Sequence, residues 1–159
     1  MPRIGLDLPK LVRAAAELAD EQGLEAVTLV SVAGKLNIRP PSLFNHIKGL
    51  PDLRRHLALA GLAHMQELFE RELVGKSGDE AVRAFAGAYV DYARRHPGLY
   101  EATQRAPESD DLQLQEAAGR IVQFAVRALA GYGLQGDAAI HAVRGIRSLL
   151  HGFVTLERQ

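Results

Sequence analysis

The sequence predicts an all-α protein in which a small N-terminal unit of three short helices precedes a larger helical bundle. Apolar residues recur at steps of three and four through every long segment, and no stretch alternates apolar and polar residues as a half-buried strand would. Start and stop signals such as Asp7, Gly23, Thr28, Pro97 and Gly133 punctuate those segments at helical intervals. At 47% hydrophobic over 159 residues, the chain can bury a sizeable core.

The first helix is expected from Asp7 or Leu8, with Asp7 as cap and Pro9 in the first turn. Leu11, Val12, Ala15, Leu18 and Ala19 form its apolar face, and Gly23 stops it. Thr28 caps a second helix running to about Leu36, with Leu29, Val32, Ala33 and Leu36 inward. Asn37 falls at the following turn, where a left-handed residue is needed. A third helix opens at Pro41 and Ser42, turning Leu43 and Ile47 inward and leaving Ser42, Asn45 and His46 outside. A long fourth helix follows from about Pro51 to Leu73 or Val74, broken by Gly75 to Gly78. The fifth carries Phe85, Ala88, Tyr89, Tyr92 and Ala93 and ends at Arg94, Arg95, His96 and Pro97, where cations suit the helix dipole and proline enforces the stop. A short helix at 97–104, a loop at 105–111, a helix from about Asp111 to Ala130, and a last helix capped by Asp137 complete the series.

Net charge is zero, with 19 basic and 19 acidic residues, so charge alone points to no nucleic-acid partner. Its distribution says more. From Val30 to His56, Lys35, Arg39, Lys48, Arg54 and Arg55 stand against Asp52 alone, a modest positive footprint of the kind a phosphate-binding face carries. Cysteine is absent, which excludes disulfides and thiolate metal sites. Pro9, Lys10 and Arg13 interrupt any signal-peptide core, and no run approaches the roughly 18 apolar residues of a membrane span. The expectation is a cytoplasmic protein with no membrane partner.

Residues 28–53, TLVSVAGKLNIRPPSLFNHIKGLPDL, read as two short helices joined by a tight turn, the arrangement that sets one helix into a DNA major groove. Ser42 and Asn45 suit base edges or phosphates, while Pro41 and Phe44 suit a thymine methyl or a sugar. Thr28 and the helix start behind it suit a phosphate. Arg39, His46 and Lys48 fall near the backbone, where each engaged cation adds to salt dependence. The competing reading places Phe44 in the core and makes His46 a packing or capping residue.

The order Pro41-Ser42-Leu43-Phe44-Asn45-His46-Ile47-Lys48 after a threonine-capped helix resembles the DNA-binding domain of TetR-type transcriptional repressors. Leu50, often lysine in that family, and Asn37, often glycine, depart from its pattern. The runs from His151 to Glu157 and from Arg95 to Tyr100 are similar to segments of one subgroup with a C-terminal His-Gly-Phe. The resemblance implies a helix-turn-helix domain at 1–50 and a ligand-binding and dimerisation bundle at 51–159. It implies a homodimer paired through the last two helices of each subunit. Because the chain stops at Gln159, just after the first of these, a last helix is expected to be missing.

In the body, pocket candidates are the aromatic and polar side chains of the bundle: Phe85, Tyr89, Tyr92 and Phe124, with Phe69 and Tyr100 beside them. His141, Arg144, Ser148 and His151 follow at steps of three, four and three, giving the last helix a polar stripe that faces a ligand, a partner subunit or water. Tyr89 and Tyr92 also fit a plain core role with hydroxyls reaching the surface. No nucleophile elbow, zinc-protease motif or phosphate-binding glycine loop is present, and the histidines lack a carboxylate at ligand spacing except Glu157. No enzyme, cofactor or metal is expected. The reading is a homodimeric regulator, a repressor released from a palindromic double-stranded DNA operator by a small-molecule effector. The alternative is a helical ligand-binding or scaffold protein without DNA recognition.

Overall fold

The computed structural model describes residues 5–105 and 110–158. In chain order it contains α1 (Leu8–Gln22), a 3₁₀ turn (Leu24–Ala26), α2 (Leu29–Lys35), a 3₁₀ helix (Pro40–Asn45) and α3 (Leu50–Leu73). Then come α4 (Gly78–Arg95), α5 (Pro97–Thr103), α6 (Leu112–Leu129), a 3₁₀ turn (Ala130–Tyr132) and α7 (Gly136–Glu157). No strand occurs among the described residues, so the all-α expectation holds.

Most helix ends follow local chemistry. Asp7 accepts the Lys10 amide at 2.9 Å, and Pro9 sits in the first turn of α1, where its missing N–H costs nothing. Gly23 ends α1 at φ +91°, donating its N–H to the Ala19 carbonyl at 2.9 Å. Asp111 caps α6 by accepting the Leu114 amide at 3.1 Å; residues 106–109 of the loop expected before it lie outside the described residues. Two expectations need correction. Asp137 does not cap the last helix: α7 starts one residue earlier, at Gly136, so Asp137 lies in the first turn, where its charge suits the dipole. The third helix is a six-residue 3₁₀ helix rather than an α-helix. Pro40 and Pro41 supply no donors, and too few residues remain before Gly49 for a ladder of α-type bonds to accumulate.

The chain divides into two compact units. The first spans Met1–Gly61 with His96–Ala106. Its core gathers Leu11, Ala15, Leu18 and Ala19 of α1 with Val27, Val32, Ala33, Leu43, Leu53 and Leu57, all buried. Each fully buried leucine contributes about 1.5–3 kcal/mol. The short α5 packs against α1 so closely that a Cβ on Gly98 would clash with the Ala19 carbonyl group. Asp20 closes that junction. Its Oδ1 accepts the Gly98 and Leu99 amides at 2.9 and 3.0 Å, and its Oδ2 lies 2.9 Å from His96 Nδ1.

The second unit spans Leu62–Arg95 with Pro107–Gln159. Its centre is aromatic: Phe69 of α3 stacks on Phe85 of α4 at 4.7 Å and tilts against Phe124 of α6 at 5.7 Å. The start of α4 and the end of α6 meet where a Cβ on Gly131 would come within 3.1 Å of Gly78, and Tyr132 bonds Asp79 beside it. At the opposite end of α4, Arg94 grips Glu157 of α7 through two bonds of 2.8 and 2.6 Å. That pairing occupies the carboxylate weighed above as a metal-ligand companion for His141 and His151. α3 supplies Leu53, Leu57 and Ala58 to the first unit, and Leu62, Met65 and Phe69 to the second.

Candidate functional site

The candidate DNA-reading surface is built by three local devices. Thr28 and Ser31 cap α2 reciprocally: Thr28 Oγ1 accepts the Ser31 amide at 3.0 Å and Ser31 Oγ accepts the Thr28 amide at 2.9 Å. Ser31 also donates its hydroxyl to the Ala26 carbonyl at 2.8 Å, anchoring α2 to the preceding turn. Thr28 is therefore exposed, with its acceptor committed to the cap. Thr28 is the cap that the sequence predicts; Ser31 completes it from a position where the usual Glu or Gln of a capping box is absent.

The turn is the second device. Asn37 takes φ +53°, the left-handed conformation expected of it. Its N–H donates to the Gly34 carbonyl at 3.1 Å, and the Ile38 N–H donates to the Ala33 carbonyl at 3.0 Å. These two bonds are the Schellman pattern, which satisfies the last carbonyls of α2 and reverses the chain. Asparagine is tolerated there because its short side chain reduces the steric cost of positive φ.

Third, Arg39 is held extended at φ −82° and ψ 139°, as the residue before a proline must be, and the 3₁₀ helix Pro40–Asn45 follows. Leu43 is 0% exposed and Ile47 3%, so these two pin the segment to the core. With three residues per turn, Pro41 aligns with Phe44 and Ser42 with Asn45. Pro41, Asn45, Arg39 and Lys48 are exposed, Ser42 and His46 are half-buried, and Phe44 is 56% exposed. A phenylalanine that open is not a core residue, which removes the competing reading for Phe44. Past the segment, Asp52 accepts the Lys48 amide at 2.9 Å and ties its end to the first turn of α3.

The positive footprint is smaller than the sequence implied. Lys35 lies 3.3 Å from Glu17 and 3.5 Å from Glu21 of α1, and its pKa is raised, chiefly by the hydrogen bond to Glu17. Arg54 pairs with Glu25 at 3.3 Å, and its Nε is buried with no hydrogen-bond partner. Acids from distant positions in the chain thus balance two of the five cations. Arg39 and Lys48 remain exposed on either side of the reading segment.

In the second unit, a cavity of about 340 Å³ lies between the end of α3, the start of α4 and α6. Phe69, Leu73, Phe124 and Ala128 supply apolar lining, and Glu70, Lys76 and Arg127 supply charge. Of the pocket candidates, Phe69 and Phe124 line this cavity. Phe85 is buried behind Phe69, Tyr89 and Tyr92 are buried on the same side of α4, and Tyr100 is buried in the first unit. His141, Arg144 and Ser148 are exposed on α7, His151 is half-buried, and none of the four is among the lining residues. Lys76 and Arg127 as cavity residues carried no local signature, because only tertiary packing brings them together.

α7 buries Ala139, Val143, Leu150 and Val154 and exposes Leu149 (71%), Leu156 (69%) and Phe153 (49%). At helical spacing Leu149 and Leu156 share a side with Gly145 and Gly152, so an apolar strip with a low backbone profile faces away from the unit's core. Among the described residues no group of three or more His, Asp or Glu is placed to hold a metal ion, and no helix is long and apolar enough to cross a membrane.

Residues 82–159 match the family model of the tetracyclin repressor-like C-terminal domain. Over 156 residues the chain is 42% identical to the uncharacterized HTH-type transcriptional regulator YobS of Bacillus subtilis, spanning 98% of this chain and 81% of that one. It is 35% identical over 153 residues to the uncharacterized HTH-type transcriptional regulator Rv0681 of Mycobacterium tuberculosis, covering 96% and 70%. Among solved structures, the transcriptional regulator SCO7222, a TetR from Streptomyces coelicolor, superposes with a TM-score of 0.65 at 26% identity, covering 96% of this chain and 70% of that one.

Proposed function

The chain belongs to the TetR-type family of helix-turn-helix transcriptional regulators, and on that premise we propose that it is a homodimeric repressor released from a palindromic operator by a small molecule. Each subunit places Pro41 to Lys48 in the major groove of one half-site. Asn45 and Ser42 meet base edges, Pro41 and Phe44 lie against sugar or methyl groups, and Arg39, His46 and Lys48 contact phosphates, with Thr28 alongside. The observation that carries this reading is the exposure of Pro41, Phe44, Asn45 and Lys48 on a segment pinned by buried Leu43 and Ile47. Side chains so arranged are rigidly presented and have no partner in their own unit large enough to bury them.

Residues 1–50 carry DNA recognition in this scheme, and 51–159 carry ligand binding and pairing. Pairing uses the strip of α7 containing Leu149, Gly152 and Leu156, with His141, Arg144 and Ser148 on or beside it and His151 and Phe153 flanking it. A ligand held in the bundle changes the separation of the two reading heads. It does so only in proportion to its differential affinity for the two spacings.

The test is the double substitution Asn45→Ala and Lys48→Ala, assayed on the DNA flanking the protein's own coding region. The expected outcome is loss of operator affinity by 100-fold or more, at about 1–3 kcal/mol for the base contact and a further phosphate term, with fold and dimer intact. A dimer that binds no such DNA even at low salt contradicts the proposal and leaves a helical scaffold.

A further inference from the structure

The cavity of the second unit has a chemistry of its own, and from it we infer that it takes a small amphipathic monoanion: an apolar body bearing a single carboxylate or like group. The inference rests on the ligand-controlled regulator proposed above and deepens it by naming the class of ligand.

Size sets the first limit. About 340 Å³ lies at the lower end of the roughly 300–1,000 Å³ typical of ligand pockets, which suits one or two fused rings or a short acyl chain. The lining sets the second. Phe69 and Phe124 meet at 5.7 Å with their rings inclined by 50°, and Leu73 and Ala128 extend the apolar wall. A strongly polar ligand would lose its hydration there with nothing to replace it.

Charge sets the third. Arg127 lies with its guanidinium carbon 5.4 Å from the centre of the Phe124 ring and makes no ion pair among the described residues. A guanidinium lying over a ring face, with no carboxylate partner of its own, keeps its donors for the carboxylate of a ligand. Lys76 donates to the Glu72 carbonyl at 2.6 Å, which fixes its ammonium at the rim without neutralising it. Against these two cations stands Glu70, whose carboxylate accepts from the neutral Gln66 amide at 2.8 Å. The lining therefore holds one positive charge in excess. A monoanion balances it, a cation would face two like charges, and a dianion would meet Glu70.

The test uses the full chain and two isosteric probes, naphthoate and the neutral naphthylmethanol, followed by calorimetry. One naphthoate per chain is expected to bind at least tenfold more tightly than the alcohol, as a charge-assisted bond predicts. Arg127→Gln, on an exposed side chain, is expected to bring the two probes within about threefold of each other through the loss of naphthoate affinity alone. Arg127→Lys should retain most of the preference, and Phe124→Leu should weaken both probes in similar proportion. Equal affinity for the two probes on the unaltered protein, or a preference that survives Arg127→Gln, overturns the inference. A separate titration of operator DNA with the naphthoate-loaded protein addresses regulation. Binding with the expected charge preference but with unchanged operator affinity upholds the inference and contradicts ligand control.

Discussion

The proposed reading segment Pro40–Asn45 and the helix α7 both turn side chains away from their own cores, with opposite chemistry. The first presents a proline, an amide, an open aromatic ring and a flanking lysine on a short, pinned stretch. The second presents Leu149, Leu156 and Phe153 along a continuous helix of 22 residues that carries Gly145 and Gly152 on the same side. Isolated exposed apolar residues are ordinary, but several on one helix side are the mark of a surface that another protein covers. Mixed small polar and aromatic groups suit a wet, polar groove instead. The contrast teaches that exposure alone assigns no function. What decides is whether the exposed groups gain more from water, from nucleic acid or from another apolar surface.

The comparison breaks most readily at α7. Leu149→Glu combined with Leu156→Glu would place four carboxylates in the proposed paired interface, each costing several kcal/mol to desolvate. The expected result is a monomer by analytical ultracentrifugation with helical content unchanged. A variant that still dimerises would move the pairing surface elsewhere. Next in size is Leu43→Ala, which removes the fully buried anchor beneath the reading segment. A loss of about 2–5 kcal/mol in unfolding free energy is expected, readable by urea denaturation. Smaller again is Asn37→Val, which forces a β-branched residue to φ +53° and should cost about 1–2 kcal/mol. Asn37→Gly should be neutral or slightly stabilising at the same position.

The smallest effect is electrostatic. The hydrogen bonds from Arg94 hold the Glu157 pKa below its ordinary value and raise that of Arg94. A depressed carboxylate pKa contributes stability that is present above the unfolded-state value, about 4.3, and is lost as pH falls through the folded one. Both groups are exposed, so solvent screens the pair and the contribution is slight. The melting-temperature difference between the native protein and Glu157→Gln should therefore be small and positive near neutrality, then vanish in acid. A difference that grows in acid would contradict a stabilising Arg94–Glu157 pair.

Much of this was legible where the signal is local. Thr28 as a cap, Asn37 as the left-handed residue, and the buried face Phe85, Ala88, Tyr89, Tyr92 and Ala93 each follow from neighbours within a turn or two, and the structure has all of them. The 3₁₀ conformation of Pro40–Asn45 is not legible in the sequence, because helical spacing over six residues does not separate a three-residue turn from a 3.6-residue one. The Asp20 clamp on Gly98 joins positions 78 apart and has no sequence signature. The balancing of Lys35 and Arg54 by Glu17, Glu21 and Glu25 was invisible for the same reason, so local charge counting overstated the positive face. The polar stripe of α7 was readable as a stripe. Its direction depends on which side the rest of the bundle occupies.

Whether the segment after Asn37 reads DNA is tested most directly by the salt dependence of operator binding by single variants. Lys48→Ala should weaken binding to all sequences alike and lower the slope of log affinity against log salt by about one per engaged subunit contact. Asn45→Ala should leave that slope unchanged and relax discrimination at one base pair in each half-site. Slopes and base preferences identical to those of the native protein in both variants would contradict the account.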